Sequence, residues 1–210
     1  MKNAALHLYV DAQYTSPYAM SAFVALLEKG LPFEMTTMDL VANENKGERY
    51  ASMSLTSRVP TLLHGDFSLS ESSAITEYLD DVFPGVRLYP EDPQHKARAR
   101  QVQAWLRSDL LPIRHERDTQ VVFYGATRAA LSDGANEAVH KLFAAADLLI
   151  SEDADNLFGN WSLADVDLAL MINRLALHGD RVPEKLAVYA QKQWQRPSIQ
   201  QWVKQVRPPL

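Results

Sequence analysis

Three short stretches of the chain hold residue types, at spacings, that could do chemistry. The first is Thr15-Ser16-Pro17-Tyr18, where a strand-like run gives way to a helical one. Serine at an N-cap with proline at N1 is a common way to begin a helix, and the cap stabilises it by about 1 kcal/mol. The same hydroxyl, beside the backbone N–H groups of a helix start, is also placed to hold an anion. The second stretch is Arg58-Val59-Pro60-Thr61. Proline opening a strand is commonly an edge or turn residue. Were Val59–Pro60 cis, the turn would offer the N–H and C=O of Val59 to an extended peptide ligand, a one-residue form of strand addition. The third is Leu69-Ser70-Glu71-Ser72-Ser73-Ala74. Its serines can compete to cap a helix. Alternatively, Ser72 and the helix start bind a carboxylate while Glu71 pairs with an ammonium, which together describe an α-amino acid end.

The absence of one residue type narrows which anion Ser16 could hold. The 210 residues include no cysteine, so disulfides, thiolate metal sites, iron–sulfur ligation and a protein cysteine nucleophile are all excluded. A sulfur nucleophile would have to arrive with a ligand, which makes the thiolate of a bound small thiol the candidate anion. The histidines His7, His64, His95, His115, His140 and His178 include no pair at metal-ligand spacing, so no metal is expected. No Gly-x-Ser-x-Gly elbow, P-loop or Gly-x-Gly-x-x-Gly motif is present. A formal net charge of −5 leaves no electrostatic footprint for nucleic acid or anionic membrane. No run approaches the roughly 18 apolar residues of a membrane span, and Leu6-His7-Leu8-Tyr9-Val10 alternates instead of forming a signal-peptide core. Cytoplasm is the expected location.

The elements that must position these residues change character near Pro84-Gly85. Before it, Leu6 to Val10 reads as a strand and Pro17 to Lys29 as a helix closed by Gly30. Phe33 to Leu40 alternates like a strand, and Val59 to Leu63 with Phe67 to Leu69 flank a Gly65-Asp66 hairpin turn. Ser72 to Val82 reads as a helix with Ile75, Tyr78, Leu79 and Val82 on one face. The division is therefore 1–83 as a small α/β domain, 84–93 as a proline-rich linker, and 94–210 as an all-helical domain. In the last, Val102, Trp105, Leu106, Leu110 and Ile113 predict one helix kinked at Pro112. Ala138 to Ile150 repeats that pattern, and Val166 to Leu177 is apolar nearly all round and belongs in the middle of a bundle. Shorter helices are expected to open at Pro183 and Pro197.

In their order, these features resemble a cytosolic glutathione transferase over nearly the whole chain. They are a strand, a Ser-Pro-Tyr-led helix, a Val-Pro before a hairpin, Glu-Ser opening a helix, a proline-rich linker and then helices. Ser162-Leu163-Ala164-Asp165 is similar to that family's capping box. Stretches such as Gln103-Ala104-Trp105-Leu106-Arg107-Ser108-Asp109 and Gln193-Trp194-Gln195-Arg196 resemble the bacterial YfcF-like subgroup. The resemblance implies α/β plus all-α architecture: a thioredoxin-like glutathione-binding domain followed by a helical bundle. It implies that Ser16 stabilises the glutathione thiolate, that Val59 before a cis proline pairs with the cysteinyl backbone, and that Glu71 and Ser72 hold the γ-glutamyl end. Glutathione would be a cosubstrate, with no other cofactor, and the second substrate a small electrophile or hydroperoxide. The protein would be a homodimer. Ser16-Pro17-Tyr18-Ala19 stands where redox relatives of the fold carry Cys-Pro-Tyr-Cys, and a serine there cannot form a mixed disulfide. Tyr18, Phe123 and Tyr124 are candidates for an apolar pocket, and Trp105 for core or pocket wall. The rival readings are a non-catalytic interaction protein on the same fold and a glutathione or ligand carrier.

Overall fold

A computed structural model describes residues 5–152 and 154–210, so the first four residues of the expected α/β domain lie outside the described residues. The chain forms two compact units, one from Met1–Leu88 and Ser198–Leu210, the other from Tyr89–Pro197.

The first unit begins β1 (Leu6–Asp11), α1 (Pro17–Glu28), β2 (Phe33–Met38), with β2 parallel to β1 from Leu6↔Phe33 to Asp11↔Met38. A short helix, α2 (Glu48–Met53), leads to β3 (Thr61–His64) and β4 (Phe67–Ser70), which form a hairpin around Gly65-Asp66. The turn needs a left-handed residue, and Gly65 supplies it at φ +60°. β3 runs antiparallel to β1, giving the order β2-β1-β3-β4, the mixed sheet of a thioredoxin-like layer. α3 (Ser72–Val82) closes it and packs against α1. Alternation along β1 sends Leu6, Leu8 and Val10 to one face. Tyr9, on the other face, joins the small cluster of Met38, Tyr50 and Val59.

α1 is buried continuously from Ala19 to Leu26 and ends where Gly30 turns left-handed at φ +64°. At that end Lys29 enters the core. Its Nζ lies 3.0 Å from Asp80 Oδ1, with the two side chains 1% and 0% exposed. Nζ also donates to the Phe83 carbonyl at 2.8 Å, and the Leu88 N–H donates to Asp80 Oδ1 at 2.9 Å. Asp80 therefore occupies the inner face of α3, and Val82, expected there, is 48% exposed. The proline-rich segment 84–93 has no helix or strand before Pro93, yet Leu88 and Tyr89 are fully buried and pin its middle.

The second unit contains α4 (Pro93–Ser108), α5 (Leu111–Glu116), α6 (Thr119–Tyr124), α7 (Asp133–Leu149), α8 (Leu163–Ala176) and α9 (Glu184–Trp194). α8 is buried from Leu163 through Leu175 apart from Asp167, as its apolar sequence predicts. The single kinked helix expected through Ile113 is instead two: Pro112 has no N–H for the Ser108 carbonyl, so α4 stops and α5 restarts with proline in its first turn. α9 has Pro183 as its N-cap and not as its first helical residue, so it begins one residue later than a proline-led start. The capping box is present. Asp165 Oδ2 accepts the Ser162 N–H at 2.8 Å and the Ser162 hydroxyl at 3.0 Å, while Oδ1 accepts the Leu157 N–H and the Tyr189 hydroxyl, both at 2.8 Å. Burial pushes the Asp165 carboxyl above its ordinary pKa, with these donors acting the other way.

α10 (Pro197–Val203) carries Trp202, which is fully buried, its ring 5.6 Å from Tyr14 and 5.2 Å from Phe23. Arg207 donates to the Tyr14 carbonyl at 3.1 Å. Residues 198–210 thus complete the first unit, whereas the sequence division groups them with the helices.

Candidate functional site

Strand register brings the three chemical stretches to one end of the sheet, the edge formed by the strand termini. Thr61 pairs with Tyr9 on one side and with Ser70 on the other. The exit of β1, the entry of β3 and the exit of β4 are therefore level. Thr15-Ser16, Val59-Pro60 and Glu71-Ser72 are the residues that enter or leave the sheet there.

Ser16 is the N-cap of α1, in extended backbone, and its Oγ accepts the Ala19 N–H at 3.2 Å. The hydroxyl proton has no acceptor among the described residues, so capping and donation to an anion are compatible. The Ser16 N–H is itself held by Asp11, at 3.1 Å from each carboxylate oxygen. Asp11 Oδ2 also accepts the Thr15 N–H at 2.6 Å and the Thr15 hydroxyl at 3.0 Å. Sequence reasoning missed Asp11. An aspartate leaving a strand four and five residues before Thr15 and Ser16 is the local signal that could have found it.

The Val59–Pro60 bond is cis. The Val59 side chain is buried with Met38 and Tyr50, while its N–H and C=O have no hydrogen-bond partner among the described residues. At the third stretch, Glu71 has φ +73° and ψ 115°, outside the regions an L residue ordinarily adopts. Such backbone costs of order 1–3 kcal/mol and clusters at ligand clamps and active sites. Glu71 is exposed and makes no ion pair among the described residues. Neither Glu71 nor the serines cap α3 with a side chain. Ser72 is buried in the first position of the helix, its hydroxyl without a partner among the described residues. Capping therefore accounts for Ser16 but not for Ser72. An uncapped N-terminus beside a free carboxylate can hold a group carrying both charges.

Other candidates lie elsewhere. In the second unit Trp105 is half-buried, donates to the Asp109 carboxylate at 2.8 Å and lines a cavity of about 700 Å³ with His95, Arg98 and Phe158. Phe123 lies 6.2 Å from the ring of Trp194, so it packs within that unit. Among the described residues no cluster of three or more His, Asp or Glu could hold a metal ion, and no helix is long and apolar enough to cross a membrane.

Residues 15–82 match the glutathione S-transferase N-terminal domain and residues 92–206 its C-terminal domain. A glutathione transferase homologue from Burkholderia, solved with bound glutathione, is 47% identical, with a TM-score of 0.76 covering 95% of this chain and 96% of that one. Human glutathione S-transferase theta-2 is 33% identical over 101 residues, which is 48% of this chain and 41% of that protein. A probable maleylacetoacetate isomerase of Caenorhabditis elegans is 31% identical over 99 residues, 47% of this chain and 46% of that protein. The chain thus matches less than half the length of these curated relatives.

Proposed function

The chain belongs to the glutathione S-transferase family, and from that premise we propose that it binds glutathione at the sheet edge and activates it as a thiolate. Val59 pairs through its N–H and C=O with the cysteinyl backbone. Glu71 takes the γ-glutamyl ammonium, and Ser72 with the open start of α3 takes the γ-glutamyl carboxylate. Ser16 donates its free hydroxyl proton to the sulfur. A thiol of pKa near 8.5 is only a few per cent ionised at neutral pH, and a downward shift of about two units, roughly 2.7 kcal/mol, makes most of it thiolate. A hydroxyl donor and the α1 N-terminus are of the right order to supply that, against the opposing charge of Asp11. The thiol proton leaves to solvent. The thiolate then forms a C–S bond with an electrophile, displacing a leaving group with its electron pair or opening an activated double bond whose carbanion takes up a proton. Alternatively it attacks a hydroperoxide to give a sulfenic acid and an alkoxide that takes up a proton. A second glutathione reduces the sulfenic acid, releasing water and the disulfide.

The observation that carries this reading is the convergence of an uncommitted Ser16 hydroxyl, an unpaired Val59 backbone and an uncapped Glu71-Ser72 helix start at one edge. The glutathione bound to the Burkholderia homologue supports it. Conjugation and peroxide reduction are both within this chemistry. A homodimer, a cytoplasmic location and membership of the YfcF-like subgroup are part of the same proposal, as is the domain division at 83 and 94.

The test is Ser16→Ala in a model conjugation assay and a hydroperoxide assay, with glutathione binding followed by calorimetry. Loss of turnover with binding retained is expected, and unchanged turnover in both assays removes the role from Ser16. Failure of the wild type to bind glutathione, together with a stable protein partner in a pull-down, would instead favour the non-catalytic interaction protein. Binding without turnover of any electrophile would favour the carrier.

A further inference from the structure

Behind the Val59-Pro60 turn lies a buried cluster of hydroxyls: Tyr50 of α2, Ser54 at its C-cap, Thr61 opening β3 and Ser70 ending β4. None of them is more than 7% exposed. Tyr50 Oη lies 3.0 Å from Thr61 Oγ1, Thr61 Oγ1 2.8 Å from Ser54 Oγ, and Ser54 Oγ 3.1 Å from Ser70 Oγ. Buried polar clusters are costly unless satisfied. Among the described residues, the one carbonyl drawn into this cluster is that of Arg58, at 2.9 Å from the Tyr50 hydroxyl, 3.1 Å from Thr61 and 3.4 Å from Ser54. That carbonyl belongs to the same planar peptide unit as the Val59 N–H. In a trans peptide the C=O and N–H point in opposite directions. Holding the Arg58 oxygen inward among the hydroxyls therefore points the Val59 N–H away from the core, with no partner of its own among the described residues.

We propose that Tyr50 and Thr61 are positioning residues for glutathione: their hydroxyls fix the plane of the Arg58–Val59 peptide and so aim the Val59 N–H at the ligand's cysteinyl backbone. The role rests on the glutathione reading above. Ser70 extends it, since its hydroxyl ties the same cluster to the residue immediately before Glu71. One buried network thereby sets the spacing between the subsite for the cysteinyl backbone and the subsite for the γ-glutamyl end. Both hydroxyls are committed to the Arg58 carbonyl behind the turn, so their removal would act on binding and not on the chemical step.

The test compares wild type, Thr61→Val, Tyr50→Phe and Thr61→Ser. Calorimetric Kd and KM for glutathione should rise about fivefold in Thr61→Val and in Tyr50→Phe, the weight of one hydrogen bond, with kcat at saturating glutathione unchanged. Thr61→Ser, which keeps the hydroxyl, should restore both constants. In the wild type the Val59 amide resonance should shift on saturation with glutathione, and the shift should shrink in Thr61→Val. Lowered melting temperatures with unmoved Kd, KM and Val59 shift would overturn the positioning role while leaving the glutathione reading intact. A wild type that does not bind glutathione at all would overturn the glutathione reading itself, and this role with it.

Discussion

The carboxylate of Asp11 holds the backbone N–H of Ser16 from both oxygens at 3.1 Å, so the last residue of β1 anchors the residue that starts α1. The contact runs from strand to helix cap across the intervening turn, and the Thr15 N–H and hydroxyl join it. Ser16 is therefore held by its backbone while its hydroxyl caps Ala19 and keeps its proton. The backbone fixes the residue's position, and the hydroxyl proton is left uncommitted among the described residues.

Asp11→Ala should leave the Thr15 and Ser16 N–H groups without their acceptor and cost about 2 kcal/mol of stability. Urea denaturation measures that loss. Turnover should fall because Ser16 is no longer fixed. Asp11→Asn, which retains one acceptor oxygen, should lose less of both.

Ser16→Ala should move the pH dependence as well as the rate. In the wild type the ascending limb of kcat/KM should report a thiol pKa below the free value, and in the variant it should move up toward about 8.5. Loss of the cap should cost about 1 kcal/mol of stability, a change too small to explain lost turnover at assay temperature. Superimposable pH profiles would show that the hydroxyl does not act on the sulfur.

Lys29→Met strands the Asp80 carboxylate inside the first unit and should cost about 3–5 kcal/mol. Arg87, whose guanidinium is 3.4 Å from Asp80 Oδ2, places the loss toward the lower end. Pairing the change with Asp80→Asn should recover much of it, and a double-mutant cycle measures the coupling.

Asp165 and Asp180 should give opposite pH dependences of stability when each is compared with its alanine variant. Burial raises the Asp165 pKa above the ordinary 3.8, so its stabilisation is complete below 3.8 and declines as pH rises through the folded-state value. Arg117, itself 1% exposed at its side chain and 2.6 Å from Asp180, lowers the Asp180 pKa. Stabilisation by Asp180 is thus present above 3.8 and is lost as pH falls through its lowered value. Denaturant titrations across acid pH should show the gap to Asp165→Ala narrowing with rising pH while the gap to Asp180→Ala widens. Equal slopes would remove the assignment.

Local pattern made much of this legible. Alternation in Leu6 to Val10, the Ser16-Pro17 cap, Gly30 and the Gly65-Asp66 turn each act over a few residues, and the structure has all four. α2 and α6, at six residues each, are shorter than two helical turns and leave no periodic signal. Long-range contacts were not readable. Nothing near Lys29 announces Asp80, fifty-one residues on, and the pairing explains why Val82 lies outside. Pro112 is visible as a disturbance, but whether it kinks or splits a helix is settled by packing around the break, where Leu110 is fully buried. At the site, the three stretches were readable as types and order, while the hydroxyls behind Arg58 come from separate elements and meet only in three dimensions.

Trp202 and Arg207 close the first unit from residues made more than a hundred positions after α3. The unit holding Ser16 is therefore interrupted in time as well as in sequence. A nascent chain has the whole sheet outside the ribosome long before the indole that covers Phe23, or the guanidinium that holds the Tyr14 carbonyl, has been synthesised. Tyr14 is two residues from Ser16, so the turn that leads into α1 is the part of the unit left waiting. A growing chain would therefore have its four strands early and the contacts that hold Tyr14 only once residues 202 to 207 have emerged.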